Sequence, residues 1–278
     1  MIKVGGSLGE DMTRACADVR DLVEQGAAVV VVHGGGAEAD GLAAELGRPA
    51  RHLVSTRGRR SRYTDAAALD ALKLGMLGRV KPSLVVELLR TGVRAVGLSG
   101  MDGGLVIARR TPPARVVLDG VKQVVRDDLS GRIVAVDPHL VRTLLDAGYV
   151  PVVSPPALDP QAGALNVDAD RFASRLAVAL DADWLIVLSN VPGMLRDRGD
   201  PASLVRELPC AELDGYLDMA GGRMKVKVRS AADAYRDGVP NVVLADGRRP
   251  SPVLAARTGH GTTFVREARA TREARGER

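Results

Sequence analysis

Short apolar runs alternate along the chain with segments of helical spacing. Met1–Val4 and Ala27–Val32 have the length of buried strands, while Asp11–Gln25 between them has helical apolar spacing and ends at Gly26, a typical helix C-cap. The same alternation predicts, in order, a helix at about Glu38–Leu46, helical structure over 65–91, a strand at Ala95–Leu98, a helix at Leu140–Ala147, a strand at Val150–Ser154, a helix at Asp168–Leu180, a strand at Trp184–Leu188, a helix at about Met224–Asp237 and a strand at Asn241–Ala245. This rhythm predicts an α/β fold with a mainly parallel sheet covered by helices on both faces.

Two regions depart from this rhythm. Residues 104–135 contain short Val-rich runs around turn signals, which favours hairpins over another strand–helix unit. Residues 266–278 carry five arginines among Glu and Ala, which is typical of a solvated, charged C-terminal tail.

Composition narrows the class of protein. Hydrophobic residues make up 46% of the 278 residues, as expected for a globular protein. No apolar run is long enough for a membrane helix and no signal peptide precedes the first strand, so we expect a cytoplasmic protein without membrane contact. Cys16 and Cys210 are isolated, which is typical of reduced structural thiols. The net charge of +5 alone would suggest nucleic-acid binding, but aromatic residues are only 3%, which disfavours it.

Three glycine-rich turns follow predicted strands, at Gly5-Gly6-Ser7, at 34–36 and at 99–104. Turns at the carboxyl ends of parallel strands are where ligands bind in α/β sheets, and glycine lets backbone N–H groups approach anionic oxygens. No G-x-x-x-x-G-K-[ST] is present, and 34–36 lacks the G-x-G-x-x-G spacing, so P-loop and dinucleotide folds are disfavoured. The turns predict an anion site of another kind.

Lysine is rare in this chain, and its placement is informative. Three of the six lysines, Lys3, Lys225 and Lys227, fall in two glycine-flanked segments at opposite ends of the chain. Lysine binds phosphate as a compact point charge. Two such cations meeting across a cleft would suit phosphoryl transfer, which depends on positive charge around the moving group.

A set of motifs in consistent order resembles the amino acid kinase family, and within it the acetylglutamate kinase group. These motifs are Lys3-Val-Gly-Gly6, His33-Gly-Gly-Gly36, Leu98-Ser-Gly100, Asn166-Val-Asp-Ala-Asp170, Leu188-Ser-Asn-Val-Pro-Gly193 and Met224–Ala232. The resemblance implies a three-layer αβα sandwich of the carbamate kinase-like type with an eight-stranded, mainly parallel central sheet. It further implies one compact domain with two lobes, in which 1–165 binds the amino-acid substrate, 166–265 binds ATP with Mg²⁺, and 266–278 is a tail.

The same resemblance assigns roles to individual residues. Lys3 and Lys227 would stabilise the transferring phosphoryl group, and Asp170 would orient both lysines. Gly34 and Gly35 would hold substrate oxygens through backbone N–H groups. Arg62 would bind the α-carboxylate of the substrate, and Asn166 its amide. The nucleotide-binding residues would be Gly5, Gly6, Ser189, Asn190, Gly193 and Lys225, with 189–196 lining the adenine nucleotide site.

Several positions distinguish branches of this family. Acetylglutamate kinases usually have Gly-Leu-Arg-Val-Thr around the substrate arginine, where this chain has Ser61-Arg-Tyr-Thr-Asp65. They usually have Pro where Ala37 stands, Lys where Met101 stands and often Asp where Asn190 stands. Each departure resembles the kinases of the amino-group-carrier-protein pathway of lysine and arginine biosynthesis. Their substrate is 2-aminoadipate or glutamate, linked through its α-amino group to the C-terminal Glu of a small acidic protein, LysW.

The positive charge around Arg62 gives a physical reason to expect a carrier-linked substrate. Segment 57–62 has four arginines in six positions, and Arg48 and Arg51 lie just upstream. A free acetylated amino acid needs about one such cation, whereas an acidic carrier would be steered by the whole cluster. The alternatives are a solvated arginine-rich loop and, for the function, a plain N-acetyl-L-glutamate 5-kinase of arginine biosynthesis.

The predicted reaction is attack of a side-chain carboxylate on the γ-phosphorus of MgATP, which gives an acyl phosphate and ADP. The carboxylate is already ionised at neutral pH, so no general base is needed. Asp168 and Asp170 could be mistaken for a metal pair, but we expect no metal-ligating residues, because Mg²⁺ prefers phosphates and water. A non-catalytic nucleotide-binding regulator is disfavoured by the intact Lys3, Lys227 and Asp170. The resemblance also predicts a homodimer without arginine feedback.

Overall fold

The computed structural model describes residues 1–5, 12–55, 58, 60–118 and 120–267. The strands are β1 Ile2–Val4, β2 Val31–His33, β3 His52–Ser55, β4 Arg60–Arg62, β5 Ala95–Gly100, β6 Val106–Arg110, β7 Ala114–Leu118, β8 Val121–Val125, β9 Gly131–Val136, β10 Val150–Asp159, β11 Gly163–Leu165, β12 Trp184–Ser189, β13 Glu207–Pro209, β14 Asn241–Asp246 and β15 Thr262–Val265. The helices are α1 Met12–Glu24, α2 Gly36–Glu45, α3 Ala66–Lys73, α4 Lys81–Arg90, α5 His139–Asp146, α6 Ala169–Ala179, α7 Leu213–Met219, α8 Gly222–Arg236 and α9 Pro252–Arg257.

One large sheet forms the centre of the fold. Within the described ranges it has eleven strands, in the order β13-β15-β14-β12-β1-β2-β10-β6-β9, with β5 and β11 also paired to β10. The central pairings are parallel, and antiparallel pairing is confined to β14–β15, β6–β9 and β10–β11. The mainly parallel sheet is therefore confirmed, but the expected eight strands are too few, because the ten-residue β10 is long enough to pair with four neighbours.

Helices cover both faces of this sheet, and the alternation of strand residues shows which helix lies where. On β12, Leu185 and Val187 belong to the core beneath α6 and α8, whereas Ile186 and Leu188 belong to the core beneath α1, α4 and α9. The same division holds on β14. Successive strand residues point to opposite faces, so these two cores are the two sides of one sheet. The predicted three-layer αβα arrangement is confirmed.

A second, four-stranded sheet has the order β4-β3-β7-β8 and is antiparallel throughout. The β7–β8 hairpin and the β6–β9 pairing agree with the hairpins predicted for 104–135. The β3–β4 hairpin was not predicted, because its second strand is the polar run Arg-Ser-Arg. This small sheet places Arg62 at the end of β4.

Most predicted elements are confirmed, with shifted boundaries. Gly26 adopts φ +84° and ends α1, as its position predicted. The second strand is shorter than expected, and the helical stretch 65–91 is divided by a π-helical segment, Leu74–Val80. The short α7, α9, β13 and β15 were missed, since elements of three to seven residues leave little periodicity to detect. No helix among the described residues is long and apolar enough to cross a membrane.

Candidate active site

Three charged side chains, which we call the lysine–aspartate cluster, meet on one face of the large sheet. Lys3 comes from β1, Asp170 from the first turn of α6, and Lys227 from α8. Lys3 Nζ lies 2.6 Å from Asp170 Oδ1, and Lys227 Nζ lies 3.0 Å from the same oxygen and 2.9 Å from Oδ2. Ile2 and Val4 pack on the α1 side, so strand alternation turns Lys3 towards α6 and α8. Residues from opposite ends of the chain thus share one carboxylate.

The lysine–aspartate cluster is buried and has one positive charge in excess. The side chains of Lys3, Asp170 and Lys227 are only 4%, 10% and 16% exposed. Burial opposes ionisation of Asp170, but the two ammonium groups outweigh it and lower its pKa to about 2. Burial and then repulsion from Lys3 lower the pKa of Lys227 to about 8. Burial also opposes the charge of Lys3, but pairing with Asp170 prevails and raises its pKa. Because an uncompensated buried charge is costly, this site favours an anion.

Two of the predicted glycine turns border the lysine–aspartate cluster. Gly5 directly follows β1, while Gly6 lies outside the described residues. Gly34 and Gly35 follow β2, which pairs in parallel with β1. A Cβ on Gly35 would lie 2.7 Å from Met76 Cγ, so a larger residue would displace the turn. Tight packing therefore fixes this turn beside the carboxyl end of β1.

His33 precedes this turn and is buried. Its Nδ1 lies 2.7 Å from the carbonyl oxygen of Gly34. Burial lowers its pKa to about 4, so the imidazole is neutral at physiological pH. This setting fits a residue that shapes the turn.

Arg62 lies beside the same glycine turn. Its guanidinium pairs with the carboxylate of Asp40 and donates a hydrogen bond to the carbonyl oxygen of Gly36 at 3.1 Å. The Arg62 side chain is 13% exposed, so its position is well fixed. Asp40 was not predicted as its partner. Arg57 and Arg59, which belong to the predicted arginine cluster, lie outside the described residues.

Asn166 is connected to the Arg62 segment through Thr64. The Asn166 side-chain amide donates to Thr64 Oγ1 at 3.0 Å, and Thr64 is completely buried. The backbone N–H of Thr64 in turn donates to Asp128 Oδ1 at 2.8 Å. Thr64 follows Arg62 by two residues, so the structure brings the predicted carboxylate and amide ligands into one region.

The predicted nucleotide segment begins at the carboxyl end of β12, next to β1. Ser189 Oγ lies 3.2 Å from the carbonyl oxygen of Val191, which closes a tight turn. Asn190 is exposed. Gly193 is buried with φ +152°, and a Cβ there would come within 2.5 Å of Thr262 Oγ1. Glycine at this position is therefore explained by the close packing of the turn against β15.

Lys225 does not join the lysine–aspartate cluster. Its side chain is 49% exposed, and Nζ lies 3.7 Å from Asp218 Oδ1. Residues two apart on a helix point in different directions, so Lys225 and Lys227 cannot both face Asp170. A nucleotide contact for Lys225 stays a prediction.

The two aspartates at the start of α6, Asp168 and Asp170, are not arranged as a metal pair. Asp168 caps the helix, with Oδ1 accepting hydrogen bonds from the N–H groups of Asp170 and Arg171, both at 3.0 Å. Both oxygens of Asp170 face lysines. Among the described residues no three His, Cys, Asp or Glu side chains form a group that could hold a metal. Mg²⁺ held mainly by nucleotide phosphates and water stays a prediction.

The small sheet presents a set of cations on one side, which we call the basic face. Leu53, Val116 and Leu118 fill the core on the other side of the sheet. Val117 pairs with Lys122 and with Val54, and residues paired across antiparallel strands share a face. By this register the basic face comprises Arg60, Arg62, Arg115 and Lys122.

Two cations near the site were not predicted. Lys81, at the start of α4, is half-buried, and burial lowers its pKa, opposed by Asp102 of the third glycine turn. Because lysine is rare in this chain, the presence of Lys81 was a signal that could have indicated a functional position. Arg223, in the first turn of α8, reaches the glycine turn at Gly36, and no local pattern indicates such a distant contact.

Comparisons with known proteins identify the family of this chain. The model of the amino acid kinase family matches residues 1–246. A [LysW]-aminoadipate kinase from Deinococcus radiodurans is 43% identical over 94% of this chain and 90% of its own length. A [LysW]-aminoadipate kinase from Thermus thermophilus is 41% identical over 94% of this chain and 98% of its own length.

The solved structure of N-acetylglutamate synthase from Neisseria gonorrhoeae, complexed with coenzyme A and N-acetyl-glutamate, has a TM-score of 0.77 and 26% identity. The match covers 96% of this chain but spans only 59% of that longer chain. Sequence, fold and the order of the site motifs agree: the chain belongs to the amino acid kinase family.

Proposed function

We propose that this kinase phosphorylates the side-chain carboxylate of 2-aminoadipate or glutamate that is linked through its amino group to a small acidic carrier protein. ATP is the donor, and the products are an acyl phosphate and ADP. The observation that carries the proposal is the buried lysine–aspartate cluster. Its excess positive charge lies near the glycine turn that Arg62 contacts. The similarity to [LysW]-aminoadipate kinases supports the carrier-linked substrate.

The lysine–aspartate cluster suits in-line phosphoryl transfer. A carboxylate oxygen forms a bond to the γ-phosphorus as the bond to the ADP oxygen breaks, and no proton has to move. Lys3 and Lys227 stabilise the negative charge of the transferring group, because preorganised cations in a buried site act strongly on it. Asp170 holds both ammonium groups in place. Bound Mg²⁺ would supply further neutralisation of the phosphate charge.

The acceptor lies between the glycine turn and Asn166 in this proposal. Backbone N–H groups of Gly34 and Gly35 hold the reacting carboxylate. Arg62 binds the α-carboxylate, and the side chain of Asn166 binds the amide. Apart from Asn166, these residues lie within 1–165, the acceptor half of the site.

The nucleotide lies in the half formed by residues 166–265. The turn after β12 begins one strand away from β1, so a nucleotide there would point its phosphates at Lys3. The residues that we assign to it are Gly5, Gly6, Ser189, Asn190, Gly193 and Lys225.

The basic face suits an acidic carrier protein. The four strands of the small sheet lie within residues 48–62 and 109–132. These two segments contain twelve Arg or Lys and three Asp, so their net charge of +9 exceeds the +5 of the whole chain. Arg62 belongs both to this face and to the acceptor site, so the face leads directly to the reacting group. Opposite charge accelerates association and makes it sensitive to salt. We infer that the carrier approaches from this side.

We also infer a homodimer, as the resemblance suggested. Gel filtration with light scattering should give a mass of about two chains. A monomer or a hexamer would refute this inference.

Identification of the product tests the reaction. The carrier-linked amino acid is incubated with ATP, and hydroxylamine is added to trap an acyl phosphate as a hydroxamate. We expect a hydroxamate on the carrier and an equal amount of ADP, both lost in Lys3→Met. ADP formation without hydroxamate would contradict carboxylate phosphorylation.

The alternative is an N-acetyl-L-glutamate 5-kinase. In the same assay its product would be trapped as the hydroxamate of free N-acetylglutamate. Arg62 and Asn166 could bind that substrate too. Comparable rates on free and carrier-linked compounds would favour this alternative.

A further inference from the structure

Arg223 brings a second guanidinium to the acceptor turn from the opposite half of the protein. A Cβ on Gly36 would lie 3.4 Å from Arg62 Nη2 and 3.7 Å from Arg223 Nη2. Arg62 comes from the small sheet, whereas Arg223 comes from the first turn of α8. Two arginines from distant parts of the sequence thus converge on one glycine.

At this convergence no described residue compensates the charge of Arg223. Arg62 has Asp40 as its partner, but none of the described residues forms a hydrogen bond or ion pair with Arg223. A cation near a helix N-terminus is unfavourable, and the first turn of α8 has no acidic residue to offset it. Arg223 is exposed, so its guanidinium is accessible to an anionic ligand.

The position of Arg223 relative to the reacting centre limits which anion this is. Arg223 precedes Lys227 by four residues, and residues at that spacing share a face of a helix. Lys227 serves the lysine–aspartate cluster, while Arg223 reaches across to Gly36. Arg223 therefore lies on the acceptor side of the transferring group.

The proposed carrier-linked substrate has an extra carboxylate near this point. A C-terminal Glu has two carboxyl groups, and an amide to the amino acid uses one of them. The other stays ionised and lies within a few bonds of the amide. A free N-acetylated amino acid has no such group.

We propose that Arg223 binds the free carboxylate of the carrier's C-terminal Glu, next to Arg62, which binds the α-carboxylate of the linked amino acid. This inference rests on the carrier-linked substrate proposed above. It makes Arg223 a specificity residue that distinguishes the linked substrate from a free acylated one.

The test combines variants with substrates. Arg223→Ala, Arg223→Lys and the control Arg229→Ala are compared with the unaltered enzyme. Arg229 lies on the same helix, is 45% exposed and is 3.7 Å from Asp214, away from the site. The acceptors are the carrier-linked amino acid, aminoadipate acylated by glutamate through either carboxyl group, and aminoadipate acylated by butanoate. Thermal melting checks that each variant folds.

We expect Arg223→Ala to lower kcat/KM for the carrier-linked and glutamyl acceptors about 10- to 100-fold, the effect of one lost charge-assisted hydrogen-bonded pair. The butanoyl acceptor should change less than about threefold, because it lacks the carboxylate. Arg223→Lys should recover part of the loss, and Arg229→Ala should change neither.

Equal losses on all acceptors, or a raised KM for ATP, would assign Arg223 to the nucleotide and overturn the inference. No loss on the carrier-linked acceptor would overturn it as well. If the unaltered enzyme does not use the carrier-linked acceptor, the proposed function itself fails, which is a separate result.

Discussion

The lysine–aspartate cluster and the basic face are both positively charged, but they differ in almost every other respect. The cluster places two ammonium groups on one carboxylate, with side chains at most 16% exposed. The basic face presents Arg60, Arg115 and Lys122 to solvent on a four-stranded sheet. Buried charges are coupled strongly and exposed charges are screened by salt. The difference suggests a division between chemistry and recognition.

Removal of the shared carboxylate should have the largest effect of all. Asp170→Asn leaves two buried ammonium groups without a counter-charge, so we expect it to cost about 3–5 kcal/mol in the free energy of unfolding. Urea denaturation measures this. The control is Asp181→Asn, an exposed partner of Arg142 whose loss should cost less than about 1 kcal/mol. Similar effects of the two variants would contradict strong coupling in the lysine–aspartate cluster.

Loss of one lysine should affect catalysis more than folding. Lys3→Met leaves Asp170 paired with Lys227, so the protein should still fold. We expect kcat to fall roughly 10²- to 10³-fold, the usual effect of removing one preorganised group that stabilises charge in the transition state. Steady-state kinetics with saturating ATP measures this, and Lys73→Met, whose side chain is partly exposed beside Asp70, is the control. An unchanged kcat would contradict the role of Lys3 in stabilising the transferring phosphoryl group.

The pH dependence of activity should reveal the low pKa of Lys227. With a pKa of about 8, the Lys227 ammonium is charged below about pH 8 and neutral above it. Because kcat/KM reports groups of the free enzyme, it should fall above that pH, by up to about tenfold per pH unit. In Lys227→Arg the remaining activity should lose this inflection, because arginine stays charged. An inflection that persists would belong to another group.

Changes on the basic face should give the smallest effects and the strongest dependence on salt. Arg60→Ala or Arg115→Ala should raise KM for the carrier-linked acceptor about two- to fivefold at low salt and leave kcat unchanged. The increase in KM should vanish in both variants at about 1 M salt, where screening is nearly complete. Arg175→Ala, at an exposed pair with Asp237, should have no effect. A lowered kcat would end the division between chemistry and recognition.

The sequence predicted the lysine–aspartate cluster better than the contacts around Gly36. Lys3, Asp170 and Lys227 lie in motifs that resemble the family; the resemblance implied that Asp170 contacts both lysines, and the structure shows these contacts. The pairing of Arg62 with Asp40 and the reach of Arg223 to Gly36 join elements that are distant in the sequence, and no periodicity encodes such contacts. The β3–β4 hairpin was missed for a similar reason, because its polar residues gain their order from pairing rather than burial.

The preference of the enzyme for its acceptor tests the central claim most directly. The measurement is kcat/KM for the carrier-linked amino acid and for the free N-acetylated amino acid, at low salt and at about 0.5 M salt. The account predicts a preference of at least about 100-fold for the carrier-linked acceptor at low salt, reduced several-fold at high salt as screening weakens steering. An equal or greater kcat/KM for the free compound, independent of salt, would contradict it.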